Sequence, residues 1–376
     1  MEGWIEAAAL DIARRAVREL EALVAVSSPS GDVHGAEECA AVCAALAPDE
    51  AEIEHVPCSS PAHAPDLVAR LRGTGARRVL LLGHLDTVVA HAGHRRLARH
   101  GDRLVGSGAV DMKGGVVLAL GVMRALAQRS DSHAELALLL VCDEEWRTAP
   151  FAHVERFAGW DACLCFEAGE LTGAAEAVVI RRKAAGTIRV EAHGRSAHSG
   201  SAPDRGRNAL LALAAAAQAV AARHDPRGGQ RLTAVPTVLR SGAAFNVVPS
   251  SGELFCDLRA DDVAAIEAVL EAIPDEVGGA RLDGALIRRW PGMHCEAAAA
   301  PLLARAGAAL GRPLAGAARG GASDASHFAA TLPVTVDGLG PRGGKAHNPD
   351  EYVLEGSLLP RAQVALAVVD AALAGS

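Results

Sequence analysis

Three apolar stretches of this 376-residue chain each stop at side chains that can bind a cation or move a proton. Residues 79–82 run Val-Leu-Leu-Leu into Gly83-His84-Leu85-Asp86, residues 136–141 end in Cys142-Asp143-Glu144-Glu145, and residues 162–166 end in Glu167. On an extended segment, side chains two apart point the same way, so His84 and Asp86 share a face. That arrangement suits an imidazole that binds a metal through one nitrogen while a carboxylate holds the other. It equally describes a core histidine satisfied by its neighbour. Adjacent residues face opposite ways, so Glu144 and Glu145 can act differently, one binding metal and one meeting a water. By itself the acidic triplet also reads as a charged turn. A fourth contribution comes from the glycine-rich loop 106–115, which opens a helix and invites a nucleotide-binding reading. The G-x-G-x-x-G fingerprint fails there because Asp111 occupies the third glycine position, and no GK[ST] ending follows. A carboxylate would repel a pyrophosphate but can approach a cation.

The elements needed to bring these residues together are an alternation of helices and strands. Ile5, Leu10, Ile12, Ala16, Leu20 and Leu23 recur at helical spacing over residues 4–26, and a second helix is predicted over 34–47. Strands follow at 52–57, 67–71, 79–82, 136–141 and 162–166, with a helix over 116–126. The alternation implies an α/β domain with a mixed, largely parallel sheet and flanking helices, and ligands gather at the strand ends of such sheets. From residue 179 the pattern changes to strands at 187–192, 233–239, 244–248 and 252–259 with helices at 208–222 and 261–273, an inserted α+β (ferredoxin-like) domain. Helices at 297–310 and 358–373 return to the first fold. The expected division is therefore 1–178 with 292–376 as one domain and 179–291 as the insertion, hinged near 178 and 292.

Composition narrows the function. A formal charge of −8, from 37 basic and 45 acidic residues, gives no footprint for nucleic acid. The first apolar residues are broken by Glu6, Asp11, Arg14 and Arg15, and no apolar run is read as approaching the ~20 residues of a membrane span. A soluble protein without a signal peptide is expected. Eight cysteines are scattered at 39, 43, 58, 142, 163, 165, 256 and 295 without a CxxC pair, as small buried hydrophobes of a reducing cytoplasm would be.

Taken together, the segments GHLDTV at 83–88, DMKGG at 111–115, DEE at 143–145, the strand ending in Glu167, GRSAHSG at 194–200, NVVP at 246–249, DLR at 257–259, GGASDA at 320–325 and AHNPDEYV at 346–353 resemble the co-catalytic zinc metallopeptidase family of carboxypeptidase G, acetylornithine deacetylase, succinyl-diaminopimelate desuccinylase and aminoacylase. They fall in the family's order over nearly the whole chain. The resemblance implies two zinc ions per subunit, with cobalt or manganese as substitutes. His84 and Glu167 would bind one ion, Glu145 and His347 the other, and Asp111 would bridge them, its bond to Met112 often being cis in the family. Asp86 would orient His84, and Glu144 would be the general base. His198, from a partner subunit of a homodimer formed through the inserted lid domain, would stabilise the oxyanion with Asn246. Arg259 would grip a substrate carboxylate, and Gly321, Ala322 and Ser323 would line its far end through backbone amides.

The implied activity is removal of a C-terminal amino acid such as glutamate from an N-acyl or peptidyl substrate. The alternatives are an N-acyl-amino-acid deacylase and a dipeptidase; outside the family stand a dinucleotide-dependent oxidoreductase and a catalytically dead metal-binding or dimerisation module. Trp146-Arg147-Thr148-Ala149-Pro150 replaces the glycine-rich turn that follows DEE in many members. Arg181-Arg182-Lys183 reads as a solvated basic turn, with attraction of an anionic substrate as the alternative; His294 and Arg289 read as pocket residues, and His91, His94, His100, His133, His153 and His327, with no motif around them, as surface or core residues.

Overall fold

The apolar runs form the middle of a six-stranded sheet in the computed structural model, which describes residues 2–375. The strand order is Glu52–Val56, Asp66–Arg72, Glu135–Val141, Arg78–His84, Ala162–Cys165 and Val334–Val336. The last four are mutually parallel and the first two are joined antiparallel, so the sheet is mixed and largely parallel. His84 lies opposite Val141, and Leu82 opposite Cys165. The carboxyl ends of three neighbouring strands therefore align at one edge.

Alternation explains why these strands read as unbroken hydrophobic runs. Val79, Leu81, Leu136, Leu138, Leu140 and Leu164 pack on one side into a core shared with the helices Gly3–Ala25, Gly114–Ala127 and Leu358–Ala374. Leu80, Leu82, Leu139, Val141 and Cys163 pack on the other side with Phe157, Trp160 and Phe328. A sheet covered on both faces needs apolar residues at every position. One expectation is corrected here: the helical stretch Glu355–Ala374 is long and apolar enough to cross a membrane. Its side chains from Val364 to Val369 are fully buried in the first core, so its apolarity serves packing.

The chain divides into two compact units. One runs up to Arg181, resumes over Met293–Ala318 and continues from Ser323; the other is Arg182–Gly292 with Arg319–Ala322. The strand Ala175–Arg182 runs through residue 178, so the first unit gives way at its end. The strap 319–322 is tied to the second unit, where the Lys183 amide donates to Arg319 O at 3.3 Å and the Arg182 guanidinium to Gly321 O at 2.9 Å.

Within the second unit, Ala184–His193, helix Ala209–Ala221, Thr233–Ser241, Ser251–Ala260, helix Val263–Leu270 and Ala280–Trp290 succeed one another, a βαββαβ ferredoxin-like arrangement. Its sheet is antiparallel throughout, with Thr233–Ser241 at one edge. Both helices contribute to a core against the sheet, and Asn208 caps the longer one by accepting from the Leu210 and Leu211 amides. Residues 244–248 are not a strand as the sequence suggests but a turn, with an isolated bridge of Val247 to His198. Most of its apolar residues face out: Phe245 is fully exposed and Val247 is exposed, while Val248 is buried.

Helix Gly114–Ala127 abuts the backbone of the Glu167 strand so closely that a Cβ at Gly115 would lie 1.8 Å from Phe166 O. Overpacking costs about 1–3 kcal/mol, against about 1 kcal/mol gained from a better helix former. With backbone as the obstacle the cost wins. Gly115→Ala is expected to lower the urea midpoint, and an unchanged or raised midpoint would contradict this packing.

Candidate metal centre

His84 closes its strand almost fully buried, and its Nε2 lies 3.1 Å from Asp111 Oδ1 and 3.6 Å from Glu167 Oε1. The other Asp111 oxygen, Oδ2, lies 3.2 Å from His347 Nε2, which is also 3.2 Å from Glu145 Oε2. Two sets of ligand atoms thus form, His84 with Asp111 and Glu167, and Asp111 with Glu145 and His347; within each set the atoms lie within 4.8 Å of one another. Asp111 belongs to both, one oxygen turned to each histidine. Residues from five separate stretches of sequence meet here.

The scaffold behind them is local and specific. Gly108 adopts φ +70° ahead of Ala109–Lys113, and the Asp111–Met112 bond is cis. Glu351, buried and four residues beyond His347, accepts the amides of Val110 at 2.8 Å, Asp111 at 2.9 Å and Gly108 at 3.1 Å. The sequence reading stopped at His347 and missed this acid, although it lies in the same motif. His347 itself takes φ +63°, a left-handed conformation that costs a non-glycine residue about 1–2 kcal/mol. Asp86 does more than face His84: Oδ1 is 3.3 Å from His84 Nδ1, while that nitrogen is closer, at 2.9 Å, to the Asp86 carbonyl. The two Asp86 carboxylate oxygens accept the amides of Glu144 and Glu145, each at 3.1 Å. Asp86 therefore fixes the backbone that carries both glutamates.

The segment after Glu145 departs from a glycine-rich turn because Arg147 is buried and engages acids on both sides. It donates to Asp143 Oδ1 from Nε at 3.0 Å and from Nη2 at 2.8 Å, and binds Asp324 through Nη2 at 2.8 Å and through Nη1. The loop is thereby bolted to residue 324, while Trp146 stays exposed.

Charge and burial conflict in this cluster. Burial pushes the Glu144 carboxyl well above its usual range, reinforced by Asp324, Glu167 and Glu145, and burial also raises Glu145. Asp111 is held low because hydrogen bonds from His347 and His84 outweigh its burial. Hydrogen bonds to Asp111 and Glu145 raise His347 to about 10. For His84, burial opposes the charged form, but Asp111 and Asp86 win and raise it. Glu145 Oε1 is buried without a hydrogen-bond partner, and among the described residues no arginine or lysine pairs with Asp111 or Glu145. An orphaned buried carboxylate oxygen beside converging imidazoles fits a cation. Nitrogen and oxygen donors without thiolates suit zinc, and also cobalt or manganese.

The other sequence-predicted residues fall mainly in the second unit. His198 is exposed, and its Nδ1 accepts the amides of Gly200 and Ser201 at 3.1 Å each. Two donors aimed at Nδ1 place the ring proton on Nε2. The Asn246 carbonyl accepts the Ser199 amide at 3.0 Å, so these two loops are held together. Arg259 is engaged by Asp257, two residues away on its strand, through contacts of 3.2 Å. Gly321 and Ala322 lie on the strap, whereas Ser323 is buried in the first unit with its hydroxyl 2.5 Å from Asp337 Oδ2.

Because the proton affinity of both imidazoles is raised in the metal-free protein, that of His347 to about 10, a cation competes with protons for them. Metal uptake between pH 7 and 8 is expected to release protons and to weaken as pH falls. Calorimetric titrations in buffers of different ionisation enthalpy measure this; uptake without proton release would contradict the raised proton affinity of His84 and His347.

Comparison with known proteins adds the lineage. Residues 80–371 match peptidase family M20/M25/M40. Carboxypeptidase G2 of Pseudomonas sp. (strain RS-16) is 25% identical over 94% of this chain and 88% of its own. Succinyl-diaminopimelate desuccinylase of Methylorubrum populi is 30% identical over 79% of this chain and 83% of its own. In fold, a tripeptidase from Staphylococcus aureus superposes with a TM-score of 0.78 at 20% identity, covering 96% of this chain and 99% of that one. With the family match spanning most of its length, the chain belongs to peptidase family M20/M25/M40 and is a hydrolase of the metallopeptidase kind.

Proposed function

We propose that this chain is a dinuclear metal-dependent amide hydrolase that removes a C-terminal, glutamate-like amino acid from an N-acyl or peptidyl substrate. The observation that carries the reading is the double use of Asp111, whose two oxygens face His84 and His347 at 3.1 and 3.2 Å. Similarity to carboxypeptidase G2 over 94% of the chain supports the choice of leaving group. In this reading His84, Asp111 and Glu167 hold one zinc ion and Asp111, Glu145 and His347 the other. Two such ions, when bound, acidify a water and polarise the scissile carbonyl.

Glu144 takes the proton from that water and delivers it to the amide nitrogen as the C–N bond breaks, leaving a carboxylic acid and a free amino acid. A buried carboxyl with raised proton affinity suits a group that must keep the proton between the two transfers. His198, whose Nε2 carries the proton, and Asn246 donate to the oxyanion, Arg259 turns from Asp257 to the substrate carboxylate, and the amides of Gly321, Ala322 and Ser323 complete that end. A homodimer belongs to this reading. Its support is the edge strand Thr233–Ser241 with exposed Val235 and Leu239, beside exposed Leu210, Leu211 and Phe245. The setting is cytoplasmic, in keeping with free thiols at all eight cysteines.

The desuccinylase relative supports a second reading, deacylation of an N-acyl amino acid. Hydrolysis of acyl-glutamates, acetylated basic amino acids and dipeptides, each with and without chelator, separates the two. Preferred turnover of acyl-glutamates, abolished by chelator, is expected; inert glutamyl conjugates with active acetylated basic amino acids would reverse the choice. Glu144→Gln should lose about 10²–10⁴-fold in kcat while retaining metal, and full turnover by that variant would remove Glu144 as the base.

A further inference from the structure

Arg361 is the one charged residue in the stretch 358–369, on a helix whose apolar side chains fill the first core, and its side chain is fully buried. A buried guanidinium must find acceptors for its donors. Here most of them are main-chain carbonyls. Nε donates to Gly340 O at 3.0 Å, Nη1 to Ala177 O at 2.9 Å and to Glu176 Oε2 at 3.0 Å, and Nη2 to Gly338 O. The loop it grips leads directly to a candidate metal ligand. The Gly340 amide donates to the carbonyl of Glu167 at 2.8 Å, and the Leu339 amide to Cys165 O at 3.1 Å.

One residue, Gly340, therefore lies between the guanidinium and the Glu167 backbone, accepting through its carbonyl and donating through its amide, and it has no room to relax. A Cβ on Gly340 would stand 2.5 Å from Phe166 O and 2.7 Å from Glu167 O, while a Cβ on Gly169 would stand 2.5 Å from Arg361 Nε. On the other side of Glu167, the Phe166 amide is held by Leu82 O at 3.0 Å and the Gly169 amide by Pro341 O at 3.0 Å.

We propose that Arg361 is a positioning residue for Glu167: its planar fork sets the Gly338–Gly340 loop, that loop sets the Glu167 backbone, and the ion shared by His84 and Glu167 depends on Arg361 while the ion at Glu145 and His347 does not. The inference rests on the metal assignments above. Lysine keeps the charge but cannot reproduce a fork that serves several carbonyls at once. A residue that merely stabilised the helix would, when changed, loosen both ion sites together; a positioning residue loosens one.

The test is equilibrium binding of zinc to metal-free full-length protein, read as equivalents and affinities, for the wild type, Arg361→Lys and Glu167→Gln. Glu167→Gln marks which equivalent depends on Glu167. In Arg361→Lys that same equivalent is expected to weaken at least tenfold, with the other within about twofold of wild type. Two equivalents of wild-type affinity in Arg361→Lys would overturn the proposal even with a lowered melting temperature, and so would equal weakening of both. If the wild type binds a single ion, the dinuclear reading fails, and the proposal is then judged on that ion: it holds only if Glu167→Gln and Arg361→Lys both weaken it, and otherwise it falls. A wild type that binds none sinks both. If Arg361→Lys does not fold, Gly340→Ala, which disturbs the same link with Arg361 in place, must show the same selective loss.

Discussion

Carboxylates repel one another, and this fold gathers four of them, Asp111, Glu144, Glu145 and Glu167, around two imidazoles in a largely buried place. In low dielectric such a cluster holds together only if each backbone is fixed from behind. The structure meets that demand with hydrogen bonds to main-chain groups. Asp86 takes the amides of Glu144 and Glu145, Glu351 takes those around Asp111, and Arg361 grips the loop beside Glu167. Much of the polar chemistry under the site is architecture.

Buried ion pairs add little net stability, because desolvation offsets much of their attraction. What Arg147 contributes with Asp143 and Asp324 is placement, since it joins the acidic triplet to a segment 177 residues further along the chain. A glycine-rich turn could bend as tightly, but it could not make that connection. The same reasoning separates Arg147 and Arg361 from the many exposed arginines of the chain, whose surface pairs contribute about 0–1 kcal/mol.

Much of the first unit was legible in the sequence because strands buried on both faces announce themselves as apolar runs, and because His84, Glu144, Glu145 and Glu167 follow those runs directly. The supports were not legible. Glu351, Arg147 and Arg361 look like ordinary surface charges until the fold surrounds them, and nothing in local spacing records a partner more than a hundred residues away. In the second unit the strand Ala280–Trp290 escaped notice because Arg281, Asp283, Arg288 and Arg289 interrupt its pattern. Conversely, Ala244, Phe245, Val247 and Val248 look like a strand but form a turn with an exposed aromatic ring. Apolar residues read as core from sequence can equally be surface, which periodicity alone does not distinguish.

The alternation in the central strand has a consequence for how the sequence can change. With Val79 and Leu81 in one core and Leu80 and Leu82 in the other, a slip of one residue would largely exchange leucines for leucines, and packing would resist it chiefly at Gly83, where even a Cβ would stand 2.9 Å from Met112 Cε. The imidazole, though, would swap places with a glycine or a leucine and point through the wrong side of the sheet. Insertions and deletions within 79–84 are thus policed by chemistry and close packing at the tip of the strand, and only weakly by the rest of the hydrophobic interior.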